Sequence, residues 1–251
     1  MIIGNQEESD ASFARQALIE TRPRLTRVTV EPFRLTDIPA AVDNYYIAFS
    51  NDIFNRYIGS IPGPGRSPSS YRKAYSMLRF ASRSATKLML TIDHGAAILA
   101  ASFPNRNTFL EKFLEGLLKI FSMPHKLIVM PIEQRKRLEE MEMKAKQSAK
   151  DADIEKRVKD WVYVDTLFVA KGNQGSGYGS ALMKTLTDQL DSSGYTCWLH
   201  ALASNEGFYI RHGFQTIVSV TFGQDNPEWH EDPFVMNVMI REPKSGMAEE
   251  D

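Results

Sequence analysis

The most informative part of this chain is residues 167–182, which read LFVAKGNQGSGYGSAL. It continues an apolar run that begins at Trp161 and predicts a β-strand through Val169. A glycine-rich loop follows, and leucines four residues apart from Leu182 to Leu190 then indicate an amphipathic helix. Glycines let the backbone approach a ligand, and the first-turn N–H groups of a helix have no partner within it. The stretch therefore predicts a site for a phosphate-bearing ligand.

The spacing of the glycines separates several kinds of loop. A Walker loop places Lys and then Ser or Thr directly after its last glycine, whereas here Ser180 follows Gly179 and the next lysine is Lys184. A dinucleotide fingerprint needs GxGxxG, but the glycines between Gly175 and Gly179 alternate and are one residue too close. Two interpretations stay open, a pyrophosphate loop of pattern QxxGxG and a tight strand–helix turn.

A second motif follows one strand later. Gly194 is a typical helix end, and residues 195–201 form a short apolar run that predicts another strand. Ser204 and Asn205 then offer a helix N-cap before the sequence FYIRHGF, residues 208–214. The order of elements is therefore strand, glycine loop, helix, strand and short helix.

The two motifs together resemble the GNAT superfamily of acyl-CoA N-acyltransferases. The resemblance is closest to puromycin N-acetyltransferase-like fungal and bacterial members, because a strand begins at Trp161, Asn205 lies four residues before Tyr209, and a last strand runs from Phe234 to Arg241. It implies an α/β fold of the GNAT type, with a mixed, splayed central sheet flanked by helices and interrupted by a helical insertion.

The pattern of the rest of the chain is consistent with that arrangement. We predict a mobile N-terminal arm over 1–25, one GNAT domain over 26–241 with a helical insertion at about 105–160, and an acidic tail over 242–251. Strands are predicted at 26–35, 87–93, 96–103, 214–222 and 234–240, and helices at 40–50, 69–84, 109–121 and 133–159. The insertion is interpreted either as a solvated helical segment or as a lid over the substrate or a dimer surface.

Composition excludes several classes of function. The chain has 251 residues, of which 43% are hydrophobic, and 30 basic against 31 acidic residues give a net charge of −1. A general nucleic-acid binder would carry a surplus of Lys and Arg. The lone Cys197 fits a reducing compartment and is interpreted as a core residue. The sequence shows no signal-peptide pattern, no membrane-length apolar run and no metal-ligand spacing, so we expect a cytoplasmic protein without metal, as a monomer or homodimer.

The resemblance implies acetyl-CoA (coenzyme A) as the cofactor. It implies that the main chain near the end of the strand before the glycine loop holds the pantetheine arm. It also implies that the glycine loop holds the pyrophosphate. Gln174 is expected to order that loop. The predicted cofactor-binding residues are Leu167, Phe168, Val169, Gln174, Gly175, Ser176, Gly177, Tyr178, Gly179, Ser180, Asn205 and Phe208; capping alone is an alternative role for Asn205.

Three residues are candidates for proton transfer. Tyr209 is the predicted general acid, since a phenol can donate a proton to a departing thiolate. Asp165 lies within an apolar strand, where a carboxylate must be paired, protonated or functional, and His200 ends the next strand. Either could be the base, and either could be structural.

The function implied is acetyl-CoA-dependent N-acetylation of the primary amine of a small molecule. An alternative is acetylation of a protein lysine or N-terminus. An alternative of another class is a non-catalytic acyl-CoA-binding module.

Overall fold

A seven-stranded mixed sheet organises the structure, which is a computed structural model that describes residues 28–59, 67–104, 109–124, 130–151 and 153–244. The strands lie in the order β1-β2-β3-β4-β5-β7-β6, and among them only β4 and β5 run parallel. Their bounds are β1 (Glu31–Pro32), β2 (Leu88–Ile92), β3 (Ala97–Ser102), β4 (Val162–Val169), β5 (Cys197–Leu202), β6 (Gln215–Phe222) and β7 (Phe234–Arg241).

Helices cover both faces of this sheet. They are α1 (Ile38–Ala48), α2 (Ile53–Tyr57), α3 (Ser70–Thr86), α4 (Phe109–Pro124), α5 (Ile132–Asp151), α6 (Tyr178–Ser193) and α7 (Glu206–Ile210). Side chains of β3 alternate between the two faces, as the period of a strand requires. Leu99 packs in the core beneath α6, whereas Ile98 packs with α1 and α3. The result is an α/β fold of the predicted class.

The helix after the glycine loop is anchored by its apolar stripe. Leu182, Leu186 and Leu190 of α6 are fully buried against β3, β4 and β5. Burying each leucine side chain contributes about 1.5–3 kcal/mol. This packing fixes the start of α6 relative to the end of β4, and the glycine loop lies between the two.

The sequence predicted most elements, with two errors of length. Of the first strand predicted at 26–35, only Glu31 and Pro32 form β1 in the described part of the chain. Pro32 has no N–H group and can donate no hydrogen bond to a neighbouring strand. The predicted helix at 133–159 ends at Asp151, and Asp153 has a φ of 52°. The chain then turns, because Ile154 packs into a small cluster with Trp161. The short α2 was not predicted.

Some predicted segments lie outside the described residues. They are the N-terminal arm at 1–25 and the tail beyond 244, together with 60–66 and 105–108. The predicted helices at 40–50, 69–84 and 109–121 and the hairpin strands at 87–93 and 96–103 are confirmed, with ends that differ by a few residues.

We expect Gly95→Ala to lower the free energy of unfolding by about 2 kcal/mol, because a side chain would strain the backbone there. Gly95 has a φ of +105°, and a Cβ would lie 2.8 Å from the backbone nitrogen of Ala41. The matched control is Gly116→Ala in α4, where a Cβ would meet nothing within 4 Å. We expect that change to be neutral or stabilising by about 0.5–1 kcal/mol. Equal changes in the free energy of unfolding for the two substitutions, measured by urea denaturation, would contradict the view that the turn between β2 and β3 requires a glycine.

Candidate active site

The parallel strands at the middle of the sheet separate halfway along their length. β4 and β5 pair only through Val162–Val164 and Cys197–Leu199. On the other side of β4 the register with β3 shifts, so that Ala100 faces Thr166 and Ala101 faces Val164. Asp165 is therefore the extra residue of a β-bulge, which bends a strand and strengthens its twist. The bulge occurs where β4 leaves β5, and a split opens beyond it.

The backbone of β4 offers hydrogen-bonding groups to this split. Ala170 N donates to Ala96 O at 2.6 Å, so the main chain of Ala170 faces β3. Main-chain direction alternates along a strand, and therefore Phe168 also faces β3 while Leu167 and Val169 face the split. Gln174 Nε2 donates to Val169 O at 3.3 Å and ties the glycine loop to the strand end.

The glycine loop leads into an uncapped helix. Gly177 is the N-cap of α6, with a φ of 85° and no side chain bonded to the first-turn N–H groups. Gly175 has a φ of 81°, and a Cβ on either glycine would meet nothing within 4 Å. Successive backbone N–H groups in such a turn, added to the dipole of α6, form an anion-binding concavity. The residues at the loop thus fit a pyrophosphate.

Polar side chains hold the loop in shape. Ser176 Oγ donates to Asn173 O, and Tyr178 Oη donates to the Asp93 carboxylate. Gly179 lies against the Phe208 ring, whose nearest carbons would be 3.6 Å from an added Cβ. Ser180 is exposed at the first turn of α6.

A cavity of about 530 Å³ lies beside the split. Its walls include β4, β5 and the loop residue Asn205, together with α3, α5 and the aromatic side chains of Tyr45, Phe49 and Phe54. From the insertion, α5 contributes Met141, Ala145 and Ser148, whereas no described residue of α4 reaches the wall. The apolar stripe of α4 is instead exposed, with Phe109 86% accessible.

Tyr209 lies on the cavity wall, near the C-terminal end of the short helix α7. Burial raises the pKa of Tyr209 to about 12. Its ring packs edge-on against Phe208 and Phe214, with centroids 5.1 Å and 5.8 Å away. The phenol therefore keeps its proton at neutral pH and remains available as a donor.

His200 lies across the split from Asp165 in an aromatic cluster. Its Nδ1 is 3.4 Å from Tyr163 Oη, and Trp198 packs against Tyr163 in a tilted arrangement with ring centroids 4.6 Å apart. Burial lowers the pKa of His200, so its imidazole is neutral near pH 7. Burial also raises the pKa of Tyr163 to about 12. A neutral imidazole at the cavity wall can accept a proton.

Asp165 is held by cations from α3 and the residue that follows it. Arg83 Nη2 is 2.7 Å from Asp165 Oδ2, and Lys87 Nζ is 3.6 Å away. Arg83 Nη1 also donates to Thr166 Oγ1 at 3.0 Å. Oδ2 lies close to the guanidinium but accepts no well-aligned hydrogen bond among the described residues. The carboxylate thus orients Arg83 at the bulge.

Two further residues can be placed. Asn205 is exposed at the cavity, and its side chain caps no N–H group of α7. Cys197 is fully buried, as predicted for a core residue.

Arg79 and Arg83 were not predicted as site residues from the sequence. The signal that could have found them is a basic residue at every fourth position along a predicted helix, ending at Lys87.

Two features are absent from the described residues. They contain no cluster of three or more His, Cys, Asp or Glu side chains placed to hold a metal ion. None of the described helices combines the length and the apolar character needed to cross a membrane.

Comparison with known proteins agrees with this geometry. Residues 145–216 match a family profile described as "Acetyltransferase (GNAT) domain". The fold is similar to arylalkylamine N-acetyltransferase 2 of Aedes aegypti (13% identity, 87% of this chain and 100% of that chain, TM-score 0.60). It is also similar to a Corynebacterium glutamicum protein described as "histone acetyltransferase HPA2 and related acetyltransferase" (18%, 88% and 98%, TM-score 0.53). No curated protein matches the sequence.

The profile match and the fold agree with each other. Residues 145–216 match the GNAT acetyltransferase domain, and the chain is similar in fold to solved acetyltransferases. The fold likenesses extend over most of the chain, whereas the profile covers the end of α5, β4, α6, β5, α7 and the start of β6.

Proposed function

We propose that this enzyme transfers an acetyl group from acetyl-CoA to the primary amine of a small molecule. The observation that carries the proposal is the cavity of about 530 Å³ that enters the β4–β5 split beside Tyr209. That volume lies within the roughly 300–1,000 Å³ of small-molecule pockets. Walls from several helices and strands favour a small acceptor over an extended peptide, which needs an open groove.

The chain has the groups needed to hold acetyl-CoA, which would supply an acetyl group activated as a thioester. The N–H groups that follow Gly175 and Gly177 bind the pyrophosphate through backbone contacts, without a lysine. The main chains of Leu167 and Val169 hold the pantetheine arm along the open edge of β4. Phe208 packs under Gly179 and supports the loop from below.

Two side chains divide the proton transfers between them. His200, neutral because burial lowers its pKa, takes the proton of the attacking amine. Tyr209 gives its proton to the leaving sulfur, and the raised pKa keeps that proton in place until it is needed. Asp165 positions Arg83 instead of acting as a base, since its carboxylate is already bound to that guanidinium. The transfer is direct, with no acyl-enzyme.

The proposal extends to the cellular location, the oligomeric state and the family relationship of the enzyme. We place the enzyme in the cytoplasm, as a monomer or homodimer. We also retain the proposed relationship to puromycin N-acetyltransferase-like enzymes. The basis is the sequence of the two motifs, including Asn205 four residues before Tyr209.

The binding test is calorimetric titration of acetyl-CoA into the wild type, Gly177→Asp and Gly177→Asn. Both side chains are the same size, both tolerate a positive φ better than other residues, and neither would meet an atom within 4 Å of its Cβ. Only Asp places a negative charge where the pyrophosphate should lie. We expect Asp to weaken binding by at least tenfold more than Asn, about 1.4 kcal/mol or more.

The outcomes separate clearly. Binding by the wild type and by Asn, with loss in Asp, supports the cofactor assignment and justifies an amine screen for thiol release. No binding by the wild type would mean that the loop is only a turn. Equal loss in both variants would assign the effect to backbone strain.

A further inference from the structure

Two arginines, Arg79 and Arg83, lie on one side of the cavity wall. Arg79, Arg83 and Lys87 follow one another at four-residue intervals along α3 and its end, so they lie on the same face. Arg83 and Lys87 both approach the Asp165 carboxylate. Arg79 interacts electrostatically with the same group. One carboxylate therefore faces three cations.

Arg79 has no carboxylate of its own. Among the described residues, none of the Asp or Glu side chains lies within 4.0 Å of its guanidinium. It borders the cavity, and its Cζ lies 5.9 Å from the centroid of the Tyr45 ring. Burial, and next the proximity of Arg79, lower the pKa of Arg83. Despite burial, Tyr45 and Asp165 raise the pKa of Arg79, which therefore stays charged. Placing like charges together in a partly desolvated site is costly unless a negative group joins them.

The other acidic residue on the wall does not supply that group. Asp52 is the N-cap of α2, and its Oδ1 accepts from both the backbone N–H and the side-chain Nδ2 of Asn55 at 2.8 Å. Its carboxylate is thus bound within its own helix. The wall near it includes the apolar rings of Phe54 and Phe222, which pack edge to face with their centroids 6.3 Å apart. The cavity therefore combines a cationic side with an aromatic side.

We propose that the acceptor carries a carboxylate in addition to its amine, and that Arg79 binds this carboxylate, so that the substrate class is an amino acid with an aromatic or bulky apolar side chain. A guanidinium offers two parallel N–H donors that match a carboxylate. The apolar part of the acceptor occupies the aromatic side of the cavity. This inference rests on the proposed function, because it names the acceptor of that same reaction.

The kinetic test compares phenylalanine with phenylalanine amide and 2-phenylethylamine as acceptors. The variants are Arg79→Gln, Arg79→Lys and the control Lys73→Gln, which removes a cation from the same helix where Lys73 pairs with Asp43 away from the cavity. For each amine, the ratio of kcat/KM between wild type and variant cancels the amine's own basicity. Arg79→Gln should lower kcat/KM for phenylalanine by roughly 10- to 100-fold, the range of a charge-assisted hydrogen bond.

The same substitution should leave the two neutral analogues within about threefold, the scale of an altered side-chain contact. Arg79→Lys should retain part of the preference, and Lys73→Gln should resemble the wild type. An equal loss for all three amines, with a lower Tm, would assign Arg79 a structural role and overturn the inference. A wild type that still prefers the amide or 2-phenylethylamine, once kcat/KM is expressed per unprotonated amine, would also overturn it.

A binding measurement decides the matter even if none of these amines is acetylated. Calorimetry compares 3-phenylpropanoate with 3-phenylpropan-1-ol on the wild type and Arg79→Gln. Tighter binding of the acid, lost in the variant, supports the anion site whether or not acetyl-CoA binds. Equal binding of acid and alcohol refutes it. Failure of acetyl-CoA to bind, by contrast, bears on the proposed function alone.

Discussion

Replacing Tyr209 by phenylalanine is expected to lower kcat by about 100- to 10,000-fold, the usual contribution of a general acid. The substitution removes the proton donor but keeps the ring, which packs between Phe208 and Phe214. The Kd for acetyl-CoA should therefore stay the same. The measurement is initial-rate thiol release with an amine acceptor, paired with calorimetry on the same preparation.

The control is Tyr195→Phe, which removes another phenol hydroxyl on a ring that packs against Phe103 and does not line the cavity. That variant should keep wild-type kcat. If Tyr209→Phe retained more than about a third of the wild-type kcat, the general-acid role would be excluded.

The pH profile offers an independent check on the same two groups. Burial raises the pKa of Tyr209 to about 12, so the acid stays protonated and activity should not fall on the alkaline side below pH 10 on its account. Burial lowers the pKa of His200 from 6.5, and a base is active only when neutral. Activity should therefore persist below pH 6.5 before it falls, and His200→Gln should remove that acidic limb.

The largest expected effect on stability is that of Asp191→Asn, a loss of about 3 kcal/mol in the free energy of unfolding. Arg241, the last residue of β7, is 3% exposed and forms two parallel hydrogen bonds to Asp191 of α6, at 2.7 Å and 2.6 Å. The asparagine amide could accept one of these bonds but would carry no negative charge, so the buried guanidinium, which also donates from Nε to His212 O, would lose its counter-charge. Urea denaturation monitored by circular dichroism measures the change.

The two partners should respond unequally. Arg241→Met should cost less than Asp191→Asn, because Asp191 keeps 23% of its side chain accessible and can be solvated alone. The double variant should recover part of the loss of Asp191→Asn, since no unpaired charge remains buried. Equal costs for the two single variants, added in the double, would refute the pairing argument.

The ion pair also sets a pH window. The Arg241 hydrogen bonds lower the pKa of Asp191 below its ordinary 3.8. A group with a lowered folded pKa contributes stability that is fully present above its unfolded pKa and is lost as pH falls through the folded pKa. The difference between wild type and Asp191→Asn should therefore be constant above about pH 5 and shrink below 3.8.

The part of the site that sequence could predict is local. The strand before the glycine loop, the loop and α6 are contiguous, so the spacing of apolar residues and glycines was enough to place them. The same holds for α7 and Tyr209, which follow one strand later. In each case the chemistry and the signal lie within one element and its neighbour.

The remainder of the site depends on distant contacts. Asp165 could be recognised as a carboxylate in an apolar strand, but its partner Arg83 lies 82 positions earlier in the sequence. The end of α5 at Asp151 depends on the burial of Ile154 with Trp161, since helical propensity alone would have continued the helix. Periodicity does not report which distant side chains meet.

Part of the cavity wall comes from α1, α3, α5 and β6, and another part comes from the continuous segment between Trp161 and Phe214, which also carries the proposed acetyl-CoA side. Substitutions in α1, α3, α5 or β6 can thus change the shape of the cavity without touching the glycine loop. The family profile, which matches residues 145–216, covers the continuous segment and, from these four elements, only the end of α5 and the start of β6. Chains that differ only in those four elements would keep the proposed acetyl-transfer reaction but accept different amines.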